Sequence, residues 1–317
     1  MAGRPDRGLW AITCHFNPAG YRRRLENYRL FRRHLAVPLA TVELSFDGTF
    51  QLGPDDADEL LQINGGDVMW QKERLLNLAL RMVPVSCRNI AWLDCDVIFV
   101  GDEWVARASR ALDEACLLHL FQDRYDPGRG WTPDHLDSDP FPPDRVVPSM
   151  VYKIVAEGTP PEDLLVPHPR VKRWASNGLA WASRRDVLEA HGLYDALILG
   201  SGDRAMLCAA FGRFEDCSRA LLMNPRQEEH YLAWARPYFE TVRGRVGYIP
   251  GRAVHLWHGE VKDRQYGARE RAFERFGFDP FRDIARDEHG CWHWSSDKAE
   301  LHAFVRRYFE SRNEDGV

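Results

Sequence analysis

The sequence lacks any C-x-x-C pair among its seven cysteines, and their odd number leaves no closed disulfide framework and no paired zinc knuckle to infer. Also missing are G-x-G-x-x-G, G-K-[ST] and G-x-S-x-G, which weighs against dinucleotide, P-loop and serine-hydrolase sites. There is no basic excess: 42 Lys and Arg face 47 Asp and Glu, for a net charge of -5, so no whole-surface nucleic-acid footprint is expected. Long apolar runs are missing too. The polar residues 1–8 lead directly into Leu9-Trp10-Ala11-Ile12, so the expectation is no signal peptide, no transmembrane segment and a cytoplasmic chain. What remains is an ordinary globular composition, 44% apolar and 28% charged, in 317 residues. That length accommodates two domains or one elaborated α/β domain.

Periodicity gives the organisation. Residues 9–14 form a short apolar run closed by Asn17-Pro18-Ala19-Gly20, a strand ending in a turn. Leu25, Tyr28, Phe31 and Leu35 then fall at helical spacing, with six arginines on the other faces of 21–35. A strand at 40–46 completes a βαβ unit, which points to a largely parallel or mixed sheet flanked by helices. Further expectations are a helix over 69–82, strands at 89–93, 97–100, 115–121, 178–182 and 253–257, and helices at 185–191 and from 200 to 211. Ten of the 19 prolines fall in 127–169, so this stretch reads as a substrate-facing loop without regular core elements. Near the carboxy-terminal end Leu301, Phe304, Val305, Tyr308 and Phe309 make a helical apolar stripe, with Asp297 as candidate N-cap.

Asp94-Cys95-Asp96 is the most informative motif. The same spacing occurs in Asp56-Ala57-Asp58 and Asp137-Ser138-Asp139, yet only the first lies between apolar strands, Ile90-Ala91-Trp92-Leu93 and Val97-Ile98-Phe99-Val100. Two carboxylates at a strand end are costly unless a cation, a donor or water compensates them. Carboxylate, water and phosphate oxygens together suit Mg²⁺ or Mn²⁺. A second motif, Gly200-Ser201-Gly202-Asp203, has glycines that permit close approach of backbone to ligand and an acid where a helix begins. A third is His255-Leu256-Trp257-His258-Gly259, followed by Lys262, Arg264 and Arg269.

An amino-terminal βαβ unit, an apolar strand ending in D-x-D and a later Gly-rich turn ending in an acid resemble the GT-A fold glycosyltransferases, over about residues 9–269. The resemblance implies a GT-A-like α/β catalytic domain at 1–269, with 127–169 on the acceptor side and 270–317 as a helical extension packed on it. It implies that Asp94 and Asp96 bind the metal and the donor diphosphate, and that Phe16, Asn17 and Pro18 at the first strand-turn approach the nucleotide. It makes Asp203 the general base for an inverting reaction. A helix N-terminus stabilises a carboxylate as the anion and so lowers its basicity, which burial against the acceptor would restore. A carboxy-terminal histidine completes the metal shell in many such enzymes. Strand alternation sends residues 255 and 258 to opposite sides, so only one is expected to ligate directly: His258, with Gly259 letting it turn inward, and His255 behind it.

Lys262, Arg264, Arg269, Lys72 and Arg74 are candidates for the remaining diphosphate charge. Trp131, Trp174 and Trp181 suit sugar stacking or core filling. The implied function is metal-dependent transfer of a sugar from a nucleoside-diphosphate donor, by analogy a UDP-sugar, to an acceptor hydroxyl on a glycan, lipid-linked glycan, protein or small molecule. A retaining transferase, a nucleotidyltransferase, a metal-dependent hydrolase and a non-catalytic sugar-nucleotide-binding module are the alternatives.

Overall fold

A computed structural model describes residues 8–136, 141–166 and 175–316. The strands are β1 (Leu9–Phe16), β2 (Leu39–Ser45), β3 (Glu59–Asn64), β4 (Asn89–Leu93), β5 (Val97–Phe99), β6 (Leu117–His119), β7 (Asp123–Tyr125), β8 (Val146–Pro148), β9 (Ala180–Arg184), β10 (Val246–Tyr248), β11 (Arg252–His255), β12 (Ile284–Arg286) and β13 (Trp292–Trp294). The helices are α1 (Arg22–Arg33), α2 (Lys72–Ala79), α3 (Glu103–Ala111), α4 (Met150–Val155), α5 (Pro161–Leu165), α6 (Arg185–His191), α7 (Gly202–Ala210), α8 (Phe214–Ala220), α9 (Pro225–Val242), α10 (Ala268–Glu274) and α11 (Ala299–Glu310).

A seven-stranded sheet runs β10-β6-β9-β4-β1-β2-β3. It is parallel except for β9, which lies antiparallel between β4 and β6. The expected α/β class with a mixed sheet is therefore what forms. Central β1 is covered on both faces, as its near-continuous apolar run requires. Alternation divides it: Leu9 and Ala11 enter one core cluster, Ile12, Cys14 and Phe16 the other. In α1 Tyr28 and Phe31 are buried against the sheet, Arg22, Arg29 and Arg33 are exposed, and Arg24 turns inward to the Phe16 carbonyl.

A smaller four-stranded sheet, β5-β11-β7-β8, stands beside the first. The Asp94-Cys95-Asp96 turn joins the two, since β4 belongs to the large sheet and β5 to the small one. No described helix is long and apolar enough to cross a membrane.

Several expectations are revised. The proline-rich stretch is not wholly irregular: it carries β8, α4 and α5, and Met150, Val151, Leu164 and Leu165 enter the core. Pro148 ends β8 and Pro161 lies in the first turn of α5, where a missing amide hydrogen costs no helix bond. Residues 270–317 include a β12-β13 hairpin as well as helices. Helix α11 starts after Lys298, and Asp297 supplies a backbone carbonyl to Ala299 rather than a side-chain cap. Strand β11 ends at His255, two residues earlier than the apolar run suggests.

Candidate active site

The turn between the two sheets is pinned on both flanks. The Asp94 amide donates to the Leu179 carbonyl at 2.8 Å, and the Asp96 carbonyl accepts from the Leu256 amide at 2.8 Å. Because one acid is fixed to the large sheet and the other to the end of β11, their side chains go to different partners. The other two acid pairs lead elsewhere: Asp58 accepts from the Leu39 amide and Arg32, and Asp137 and Asp139 lie outside the described residues.

Asp96 meets the histidines. Its Oδ2 lies 3.1 Å from His258 Nε2 and 3.9 Å from His255 Nε2, and the two Nε2 atoms are 3.1 Å apart. Both histidines converge, contrary to the expectation that they face opposite sides. The alternation rule fails because β11 ends at His255, so His258 is placed by the following loop and not by strand geometry.

The protonation pattern follows from the partners. Asp126 Oδ1 lies 3.1 Å from His255 Nδ1, so that nitrogen carries the hydrogen, and a metal-binding lone pair belongs to Nε2. Arg264 Nη2, which can only donate, lies 2.8 Å from His258 Nε2 and marks that atom as an acceptor too. Two imidazole nitrogens and a carboxylate oxygen thus face one another as acceptors; Arg264 donates to one of them, and a cation at their centre would take the place of that contact. Asp96 Oδ1 is buried with no hydrogen-bond partner. The three ligand atoms lie within 4.8 Å of one another. This donor set fits a divalent transition ion.

Burial lifts the Asp96 carboxyl above the usual range although His255 pulls the other way, and Asp94 adds to the rise. Burial, reinforced by the Arg264 charge, holds His258 well below its ordinary value and keeps it in the neutral form that ligates metals.

Asp94 does not join this cluster. Its Oδ1 pairs with Lys72 Nζ at 2.5 Å, and the same ammonium reaches Asp203 Oδ2 at 3.1 Å. Lys72, placed in the turn opening α2, is thus spent on two carboxylates of the chain itself. Burial alone would lower its pKa, yet Asp203 and Asp94 hold it well above the usual lysine value. A third acid, Glu73, is buried next to them, and burial pushes it up to about 8 despite Lys72. One ammonium cannot balance three acids. Asp203 accordingly also stands above the usual range, raised by burial against the pull of Lys72 and raised further by Asp94. The lowered basicity that a helix N-terminus would cause is outweighed here.

Asp203 is the second residue of α7, behind Ser201, and its carboxylate bonds Lys72 instead of capping the helix. Gly202 serves a close approach, though not to a ligand: a Cβ there would stand 2.2 Å from Glu73 Oε1. Beside Glu73, Lys72 and Asp203 is a cavity of about 10 Å³, also lined by Trp92, Tyr194 and Met206. That is room for about one water.

The remaining sequence candidates divide. Arg264 reaches the cluster, and Lys262 is exposed on the same turn, Val261–Arg264. Arg269 is buried and committed to Glu270, Tyr308 and Ser201, and Arg74 to Asp195, so neither is available to a diphosphate. Phe16 is buried edge-on against Trp70 and Phe309. Asn17 bonds the Tyr21 amide and carbonyl, fixing the turn before α1, with Pro18 inside that turn. Trp181 is core, stacked on His119; Trp131 packs at the edge of the small sheet's cluster; Trp174 lies outside the described residues. Sequence reasoning missed Glu73, Asp126 and Glu314. None has a motif: Asp126 opens the proline-rich stretch, and Glu314 sits in a polar run that reads as solvated.

No family model matches the sequence, and no curated protein does. Solved structures do. The chain is similar to S. aureus TarS 1–349, with TM-score 0.35 and 14% identity over 73% of this chain and 70% of that one. It is also similar to the mannosyltransferase PcManGT from Pyrobaculum calidifontis in complex with GDP-Man and Mn²⁺, with TM-score 0.42 and 14% identity over 87% of this chain and 65% of that one. A third is TarS 1–349 in complex with UDP-GlcNAc, with TM-score 0.35 and 12% identity over 75% and 72%. These likenesses bring no reaction to the chain, and the chemistry has to come from the site.

Proposed function

We propose that the chain is a nucleotide-sugar-dependent glycosyltransferase that works with a divalent cation and inverts the anomeric centre. The observation that carries this reading is the pairing of two sets on either side of one three-residue turn: Asp96, His255 and His258 as converging acceptors, and Asp203 with Lys72 and Asp94 as a part-buried acid–base set. The first set suits a cation that a diphosphate shares; the second suits proton removal from a hydroxyl.

A bound Mn²⁺ or Mg²⁺ supplies charge neutralisation of the leaving diphosphate. The chain's own residues do the rest. Asp96, His255 and His258 hold the ion, which revises the D-x-D assignment by moving Asp94 from ligand to partner of Lys72. Arg264 and Lys262 stand on the turn after His258 and add positive charge where the leaving group becomes more anionic in the transition state. Asp203 accepts the acceptor hydroxyl's proton, its affinity for that proton increased by burial. Lys72 orients the Asp203 carboxylate and keeps it from rotating into the helix cap.

The test is a thermal-shift series with UDP-GlcNAc and GDP-Man, each with and without Mn²⁺, on wild type and Asp96→Asn. Stabilisation by one nucleotide sugar that requires Mn²⁺ and disappears in the variant supports the reading. Equal shifts in both chains, or none, reject it. Product stereochemistry by NMR then separates inversion from retention.

A further inference from the structure

Both histidines have their other ring nitrogen backed by a carboxylate, and each carboxylate is held by arginine. His255 Nδ1 lies 3.1 Å from Asp126, which Arg124 grips at 2.7 Å. His258 Nδ1 lies 3.9 Å from Glu314 Oε1. Glu314 is almost fully buried and takes Arg24 Nε at 2.5 Å and Arg312 Nε at 2.5 Å. Two elements far apart in sequence thus place a carboxylate behind each imidazole, in hydrogen-bond contact at His255 and at ion-pair distance at His258. A carboxylate behind a ligating histidine fixes its tautomer and orientation and raises its donor strength.

Glu314 is brought there by a docked segment. Tyr21 Oη accepts from the Asn313 amide at 3.0 Å. The Asp315 carboxylate accepts from the amides of Arg22 and Arg23 at 3.2 and 2.8 Å, capping α1, which has no side-chain cap from its own N-cap residue. Gly259, with φ of +85°, lets this segment pass behind His258, since a Cβ there would stand 2.8 Å from the Asn313 carbonyl. The glycine after the second histidine is therefore explained by segment 312–316 and not by the histidine's own reach.

We infer that Glu314 and Asp126 are positioning residues for the cation site: they hold His258 and His255 as Nδ1–H tautomers with both Nε2 lone pairs aimed at the point that Asp96 faces. This rests on the cation reading above and extends the site to segment 312–316, outside the sequence motifs.

The experiment is Mn²⁺ titration of the full chain followed by EPR, on wild type, Glu314→Gln, Asp126→Asn and Asp315→Asn, with imidazole tautomers read from long-range ¹H–¹⁵N spectra. Expected are Nδ1–H signals for both histidines in wild type and about 10–100-fold weaker Mn²⁺ binding in the first two variants. Asp315→Asn, which loosens the docking of the same segment but keeps the Glu314 carboxylate, should weaken binding less than Glu314→Gln does. Unchanged affinity in both Glu314→Gln and Asp126→Asn, with wild type binding Mn²⁺, overturns the inference and leaves the cation site standing. Should Glu314→Gln fail to fold, the part-exposed Asp126→Asn decides the matter by the same affinity. No Mn²⁺ uptake by folded wild type overturns both readings.

Discussion

Glu73→Gln isolates the most displaced acid of the site. The Glu73 carboxyl is buried beside Lys72 and Asp203 and is raised from an ordinary 4.5 to about 8. A raised carboxyl binds its proton more tightly in the folded chain than in the unfolded one. Its stabilising effect is therefore complete below about pH 4.5, declines as pH rises and is exhausted past about pH 8. At about 1.4 kcal/mol per pH unit the full loss is on the order of 5 kcal/mol. Glutamine keeps the shape that packs against Gly202 and cannot ionise, so its stability lacks this slope. Any packing or hydrogen-bond cost of the amide is the same at every pH, and the readout is the change in the difference. Urea unfolding from pH 5 to pH 9, followed by tryptophan fluorescence, should show the variant gaining on wild type by a few kcal/mol across that range. Two parallel stability curves would refute the claim that a strained, protonated acid lies under the site.

Asp203→Asn should retain donor binding by calorimetry while transfer falls by about 10²–10⁴-fold, the usual worth of a general base; equal rates remove its role. Lys72→Met leaves Asp94 and Asp203 uncompensated and should cost about 3–5 kcal/mol in urea unfolding at pH 7, with a smaller cost at low pH, where Asp203, raised by burial, takes up its proton. Gly259→Ala forces a side chain into left-handed backbone and against the Asn313 carbonyl, so a loss of about 2–4 kcal/mol is expected by the same assay, along with faster proteolysis after residue 310.

Legibility in the sequence followed burial. The run 9–14, the α1 stripe and the strands on either side of Asp94-Cys95-Asp96 were readable because their apolar residues are buried and form runs or repeat with the element's period. Strand β3 was not, since an edge strand with Glu59 and Gln62 outward has little apolar signal. Within the site, the grouping of Asp96 with two histidines was visible as residue types, whereas the partition of the acid pair was not. That partition depends on Leu179 and Leu256, which fix the two backbone positions to different sheets. Asp126 and Glu314 gain their meaning only from what stands across from them, and no spacing rule links residue 314 to residue 258.

The junction at Cys95 gives each half of the chemistry its own carrier. Everything proposed to grip the cation rides on β5, β11 and the loops around them, and everything proposed to manage the proton rides on the large sheet and its helices. A shift of one layer against the other would keep each set's own residues together and alter the gap a sugar must bridge, while pulling on Glu314, which reaches His258 from a segment docked on α1. Acceptor size is thus open to retuning by repacking the interlayer boundary, with every reactive side chain left as it is.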